Sequence, residues 1–115
     1  MLSLNEAQWF ALRAYEHDQF VAQVCSQYLE QRPECRQQPG ELAVSRRMRQ
    51  GLGYAQELGF TRNGHIVRLM YLAADAPAVI GDEMLTSHLS RAGATPEQRL
   101  DDLDAVITWK LKELR

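Results

Sequence analysis

Between Phe20 and Leu29 the apolar side chains fall into two adjacent rows, Phe20–Val24–Tyr28 and Val21–Cys25–Leu29, each at a spacing of four. An α-helix brings residues four apart onto one face, and two such rows make a stripe wide enough to bury. Later segments repeat the same period. No segment shows the alternation in twos that marks a half-buried strand. The sequence therefore predicts an all-α, single-domain bundle of about five or six helices covering residues 1–115, a length suited to one domain and short for two.

Punctuation places the helices. Ser3 and Glu6 fit a capping box, and the pattern then runs from Leu4 to Gln31, with Trp9, Leu12 and Tyr15 sharing a face. The polar run Glu16-His17-Asp18 predicts a bend or a break into two helices. Pro33 ends the element, because the residue before a proline avoids the α region. The next helix spans Glu41 to Leu58, with Leu42, Ser45, Met48, Leu52 and Ala55 at helical spacing. Gly59 stands at the left-handed position that closes a helix. Gly51 and Gly53 each cost about 1 kcal/mol against alanine inside a helix, which predicts close approach of a neighbour.

Thr61 is the expected N-cap of a helix from Arg62 to Ala74 that turns Ile66, Leu69, Met70 and Ala73 inward. Pro77 to Gly81 reads as a packed apolar loop. Asp82 caps a short helix with Met84, Leu85, His88 and Leu89, and Gly93 closes it. Thr95-Pro96-Glu97-Gln98 supplies an N-cap, a proline at the first helical position and a reciprocating Gln for the last helix. Leu100, Leu103, Ile107, Leu111 and Leu114 follow along it, a stripe that would serve within the chain or across a homodimer.

Hydrophobic residues make up 45% of the chain and charged residues 24%, which excludes a disordered tail. No stretch approaches the roughly 18 apolar residues of a membrane span. The N-terminus has no basic region ahead of an apolar one, so no secretory signal is expected. Cys25 lies on the apolar helix face as a buried thiol, and Cys35 follows Pro33 in a loop. Two cysteines ten apart make neither a disulfide framework nor a zinc site, and a reduced, cytoplasmic protein is expected. A net charge of −2 gives no broad field for nucleic acid or an anionic membrane, so neither is an expected partner.

No residue pattern defines a catalytic set, a cofactor site or a metal site. Glu16, His17 and Asp18 are adjacent, and adjacent helical residues point about 100° apart, so they do not converge on one ion. His65 and His88 are isolated and read as surface or capping residues. The turn Ala55–Arg62 resembles that of a helix-turn-helix regulator, but His65 and Arg68 stand where buried aliphatics belong. Arg46 and Arg49, one turn apart, form the densest basic patch. They pair with acids of a neighbouring helix or meet an anionic partner.

The stretch Ser45-Arg46-Arg47-Met48-Arg49-Gln50-Gly51-Leu52-Gly53-Tyr54-Ala55 continues into Glu57-Leu58-Gly59-Phe60 and His65-Ile66-Val67-Arg68-Leu69-Met70-Tyr71-Leu72. Thr95-Pro96-Glu97-Gln98-Arg99-Leu100 follows downstream. Together these resemble a family of small helical bacterial proteins encoded beside type VI secretion genes, the co-TecT-like co-chaperones. The resemblance covers about Phe20 to Leu100. It implies a non-enzymatic protein whose partner is an adaptor chaperone and, through it, an effector loaded onto the PAAR spike. The segment Asp75-Ala76-Pro77-Ala78-Val79-Ile80-Gly81-Asp82 departs from the acidic, Trp-containing stretch of many relatives. An immunity protein or antitoxin that binds a toxin is the alternative, with a helix-turn-helix DNA-binding regulator behind it. The residues expected to meet a protein partner are Trp9 and Phe10, which one helix face does not bury together, Arg46 and Arg49, and the loop residues Val79 and Ile80.

Overall fold

The computed structural model describes residues 6–103, with residues 7–14 described by their helical backbone alone. Helix α1 runs Glu6–Gln31, α2 Glu41–Glu57, α3 Asn63–Asp75 and α4 Glu83–Leu89. Helix α5 starts at Pro96, and residues 96–103 of it are described. Short 3₁₀ turns at Pro33–Arg36 and Pro77–Val79 link α1 to α2 and α3 to α4. No strand occurs among the described residues. None of their helices is long and apolar enough to cross a membrane. The fold is a compact all-α globule, as the helical periodicity predicts.

Helix α1 is continuous, and the break into two helices expected as one outcome at Glu16-His17-Asp18 does not occur. None of the three removes a backbone donor, and no Pro or Gly interrupts Glu6–Gln31. They form a solvent face, where Asp18 pairs with Arg49 at 2.6 Å and the His17 ring meets Gln56 at 3.2 Å. Both predicted rows turn inward: Val21, Val24, Cys25, Tyr28 and Leu29 are buried and Phe20 is half-buried. Tyr15 does not share that fate and is 62% exposed. The Ser3 cap and the stripe residues Trp9, Leu12, Ile107, Leu111 and Leu114 lie outside the described residues or have undescribed side chains.

The α2–α3 hairpin is the centre of the molecule. Val44, Met48, Leu69 and Met70 are fully buried along it. Gly51 permits this: a β-carbon there would stand 2.9 Å from the Met70 Cα and 3.1 Å from the Leu69 carbonyl oxygen. Gly53 has no such role among the described residues, where nothing lies within 4 Å of its missing Cβ, so the expected close approach holds at one glycine only. Leu42, expected on the apolar face, is 67% exposed, because Val44 takes the inward register instead. Helix α2 ends as predicted. Gly59 has φ +86°, its N–H reaches the Gln56 carbonyl and the Phe60 N–H reaches that of Ala55, the paired bonds of a Schellman motif.

Three polar fixtures complete the fold. The Arg47 guanidinium donates to the Ala74 carbonyl at 3.1 Å, one of the otherwise unpaired carbonyls that end α3. Asp82 accepts from the Met84 and Leu85 amides as the predicted cap of α4. That helix turns Leu85 and Leu89 inward but leaves Met84 83% exposed, and Ser90, not Gly93, is its C-cap. The capping box of α5 closes in both directions, Thr95 N to Gln98 Oε1 at 3.0 Å and Gln98 N to Thr95 Oγ1 at 3.2 Å.

Candidate interaction surface

Helices α1 and α2 run in opposite directions, since His17 and Asp18 meet the later part of α2 while Cys25 and Leu29 lie beside its start. Where their faces part, a shallow groove of about 520 Å3 opens between Ala22, Cys25, Ser26 and Leu29 of α1 and Leu42 and Ser45 of α2. The pair Arg36–Glu41, at 2.8 Å, stands at its edge. A second open groove, about 600 Å3, continues from Ala22 along α1 past Phe20 and Gln19 to Tyr15. The two share Ala22, so one strip of mixed character runs along α1, its small and apolar side chains interleaved with Glu16, Gln19 and Gln23 and edged by Arg36 and Glu41, with Tyr15 and Leu42 exposed at its ends. Exposed large apolar side chains beside small ones suit the anchors of a protein interface.

The Cys25 thiol reaches into the floor of this strip. Burial pushes its pKa up, the Glu41 carboxylate adds to that, and Arg36 opposes it. Its thiolate is therefore disfavoured, which makes it a packing residue. Cys35 is half-buried, and its sulfur stands 3.8 Å from the Tyr28 hydroxyl.

The residues expected from the sequence to meet a partner are dispersed. Arg49 is tied to Asp18 on α1, while Arg46 is exposed one turn earlier on α2. Val79 and Ile80, on the turn after α3, spend part of their surface on the core and are half-buried. Trp9 and Phe10 stand on α1 two turns before His17, and their side chains lie outside the described residues.

The histidines are not isolated. His65 donates from Nε2 to both carboxylate oxygens of Asp101, at 3.1 and 3.2 Å, and Arg68 pairs with the same carboxylate. His88 meets the Arg99 carbonyl at 3.1 Å. Among the described residues no group of three or more His, Cys, Asp and Glu stands close enough to hold a metal ion.

Two side-chain arrangements escape sequence reasoning. Glu97 is 6% exposed and accepts from the Thr61 amide at 2.7 Å, the Thr61 hydroxyl at 3.3 Å and the Arg62 amide at 3.2 Å. These bonds hold its carboxyl below the usual range, the Thr61 amide contributing most, against a desolvation that raises it. Thr61 is thus not the N-cap of α3; that position falls to Arg62, whose side chain makes no capping bond. The acid of the Thr-Pro-Glu-Gln cap is legible in the sequence, but not its reach to another helix.

At the far end of α3, Tyr28 donates to Asp75 at 2.7 Å. Arg32 pairs with the other Asp75 oxygen at 3.1 Å and lies over the Tyr28 and Tyr71 rings, 4.6 and 5.6 Å from their centroids.

No protein-family profile, curated protein or solved structure matches this chain.

Proposed function

We propose that this protein is a non-enzymatic co-chaperone of type VI secretion, acting in the cytoplasm by binding the adaptor chaperone that loads an effector onto the PAAR spike. The observation that carries this reading is the run from Ser45 to Leu72, which resembles the co-TecT-like co-chaperones and here forms the α2–α3 hairpin. The strip along α1 supports it, since a co-chaperone needs a surface complementary to one protein, and Tyr15 and Leu42 stand exposed on such a surface.

The test is co-expression with the products of the neighbouring genes and purification through a tag on this chain. Stable co-purification with the adaptor chaperone is the expected result. Failure to retain any product of its own gene cluster sinks the proposal. Retention of the toxin alone, with protection of cells that express it, replaces the proposal with an immunity role.

A further inference from the structure

Gly53 lies inside α2, yet the described fold makes no use of it. Its φ is negative, so alanine fits the backbone, and nothing among the described residues stands within 4 Å of a Cβ built there. Glycine weakens a helix relative to alanine, because it gives up more backbone freedom on folding. At Gly51 the close approach of α3 requires that cost, and at Gly53 no described neighbour does. A bare backbone facing open space lets a second backbone come close.

Gly53 stands on the outer stripe of α2. Leu42, Arg46, Arg49, Gly53 and Glu57 follow one another at helical spacings of three or four, which places them on one face. That face is turned from the core: Leu42, Arg46, Arg49 and Glu57 are exposed and Gly53 is half-buried, whereas Val44, Met48 and Ala55 are fully buried on the other side. Its order is apolar, basic, basic, bare and acidic. Arg49 is taken up by Asp18 of α1, which joins this face to the strip that ends at Leu42. Among the described residues Arg46 and Glu57 have no ion-pair partner.

We propose that a helix of the protein partner lies along this face and crosses α2 at Gly53, with an apolar side chain on Leu42, an acidic one on Arg46 and a basic one on Glu57. The inference rests on the reading of this chain as a co-chaperone and gives the place and chemistry of its contact. Opposite charges at the flanks of packed helices set which partner is accepted and in which register. The bare backbone at Gly53 admits the partner helix to about 8 Å, the close end of helix packing. A second copy of this chain fits the face poorly. Laid parallel it sets Arg46 against Arg46, and laid antiparallel about the middle of the stripe it sets Leu42 against Glu57 and Arg46 against Gly53.

Titration calorimetry of the full chain with the adaptor chaperone encoded beside it, together with urea denaturation of the free chain, tests this. Gly53→Ala should leave the free chain at least as stable as wild type and weaken binding roughly tenfold or more. Arg46→Glu should weaken binding to a similar extent with stability unchanged. Gly64→Ala should bind as wild type does, since Gly64 also has nothing described within 4 Å of its missing Cβ but stands on α3, off this face. Wild-type affinity in Gly53→Ala or Arg46→Glu, or equal weakening by Gly64→Ala, overturns the proposed face while the co-chaperone reading stands. Loss of stability in Gly53→Ala places the close neighbour inside the chain and overturns it too. So does self-association that Gly53→Ala abolishes, which makes the occupant a second copy. A wild-type chain that binds no adaptor chaperone overturns the functional reading and this inference with it.

Discussion

Gly51 of α2 and Met70 of α3 pack backbone to side of backbone, with room for a hydrogen atom and none for a methyl group: an added Cβ would lie 2.9 Å from the Met70 Cα. Because its partners at that distance are main-chain atoms, the clash is not relieved by turning a side chain. The two helices must separate, and the fully buried Met48, Leu69 and Met70 around the seam would lose contact with them.

Gly51→Ala is therefore expected to destabilise the protein by about 1–3 kcal/mol, the usual cost of overpacking, despite alanine's better helix propensity. Gly53→Ala, two residues away, meets nothing within 4 Å among the described residues and should stabilise by up to about 1 kcal/mol. Urea denaturation of both variants gives the comparison, and equal effects at the two positions would contradict the packing described.

Tyr28 predicts a response to alkali. Burial, the bond to Asp75 and the contact with Cys35 all raise its pKa above the ordinary tyrosine value. The folded state thus keeps a proton that the unfolded chain gives up at about pH 10. Stability from this group is complete below about pH 10 and falls as pH rises beyond it, since the folded form then binds more protons than the unfolded one. Tyr28→Phe should cost about 0.5–1.5 kcal/mol at neutral pH and flatten that alkaline loss, measured as denaturation midpoints across roughly pH 8–11.

The two thiols should react at different rates. Cys25 is buried with its pKa raised, and Cys35 is half-buried. An aromatic disulfide reagent on the native protein is expected to give a fast phase, absent in Cys35→Ser, and a slow one, absent in Cys25→Ser. A fast phase that survives Cys35→Ser would place the reactive thiol wrongly.

Asp82 carries two amides of a helix only seven residues long. Asp82→Ala should cost about 1 kcal/mol and loosen α4, seen as a loss of protection at Met84 and Leu85 in hydrogen exchange.

If the strip along α1 is the partner surface, Leu42→Asp and Tyr15→Asp should leave stability within about 0.5 kcal/mol of wild type, because both side chains are mostly exposed. The same variants should weaken retention of the adaptor chaperone in pull-downs. Undiminished retention by both would move the interface off this strip.

Periodicity is enough to place the elements, and the capping rules hold at three of their ends but not at two, since Arg62 and not Thr61 is the N-cap of α3 and Ser90 and not Gly93 is the C-cap of α4. Gly59 ends α2, Asp82 starts α4, and the Thr95–Gln98 box starts α5, because each depends on atoms within five residues. The errors share a different cause. Leu42 and Met84 fit an apolar face by spacing, but which arc of a helix is covered depends on the neighbour laid against it. Glu16-His17-Asp18 suggests a break because the polar run has no visible partners in the sequence, and α2 provides them in Arg49 and Gln56. The expected partner residues Arg46, Arg49, Val79 and Ile80 follow from residue type, whereas the groove from Ala22 to Leu42 exists only once α1 and α2 lie side by side.

By itself the sequence determined that the described chain is helical, where α2 ends and where α4 and α5 begin, since a 3.6-residue period and capping chemistry are properties of neighbouring residues. The tertiary structure alone decided what those helices do to one another. It set Gly51 against Met70, buried Glu97 under the start of α3, and joined Tyr28 to Asp75 across 47 residues. Each of these is a contact between segments far apart in the chain, and no local preference encodes which distant group will arrive.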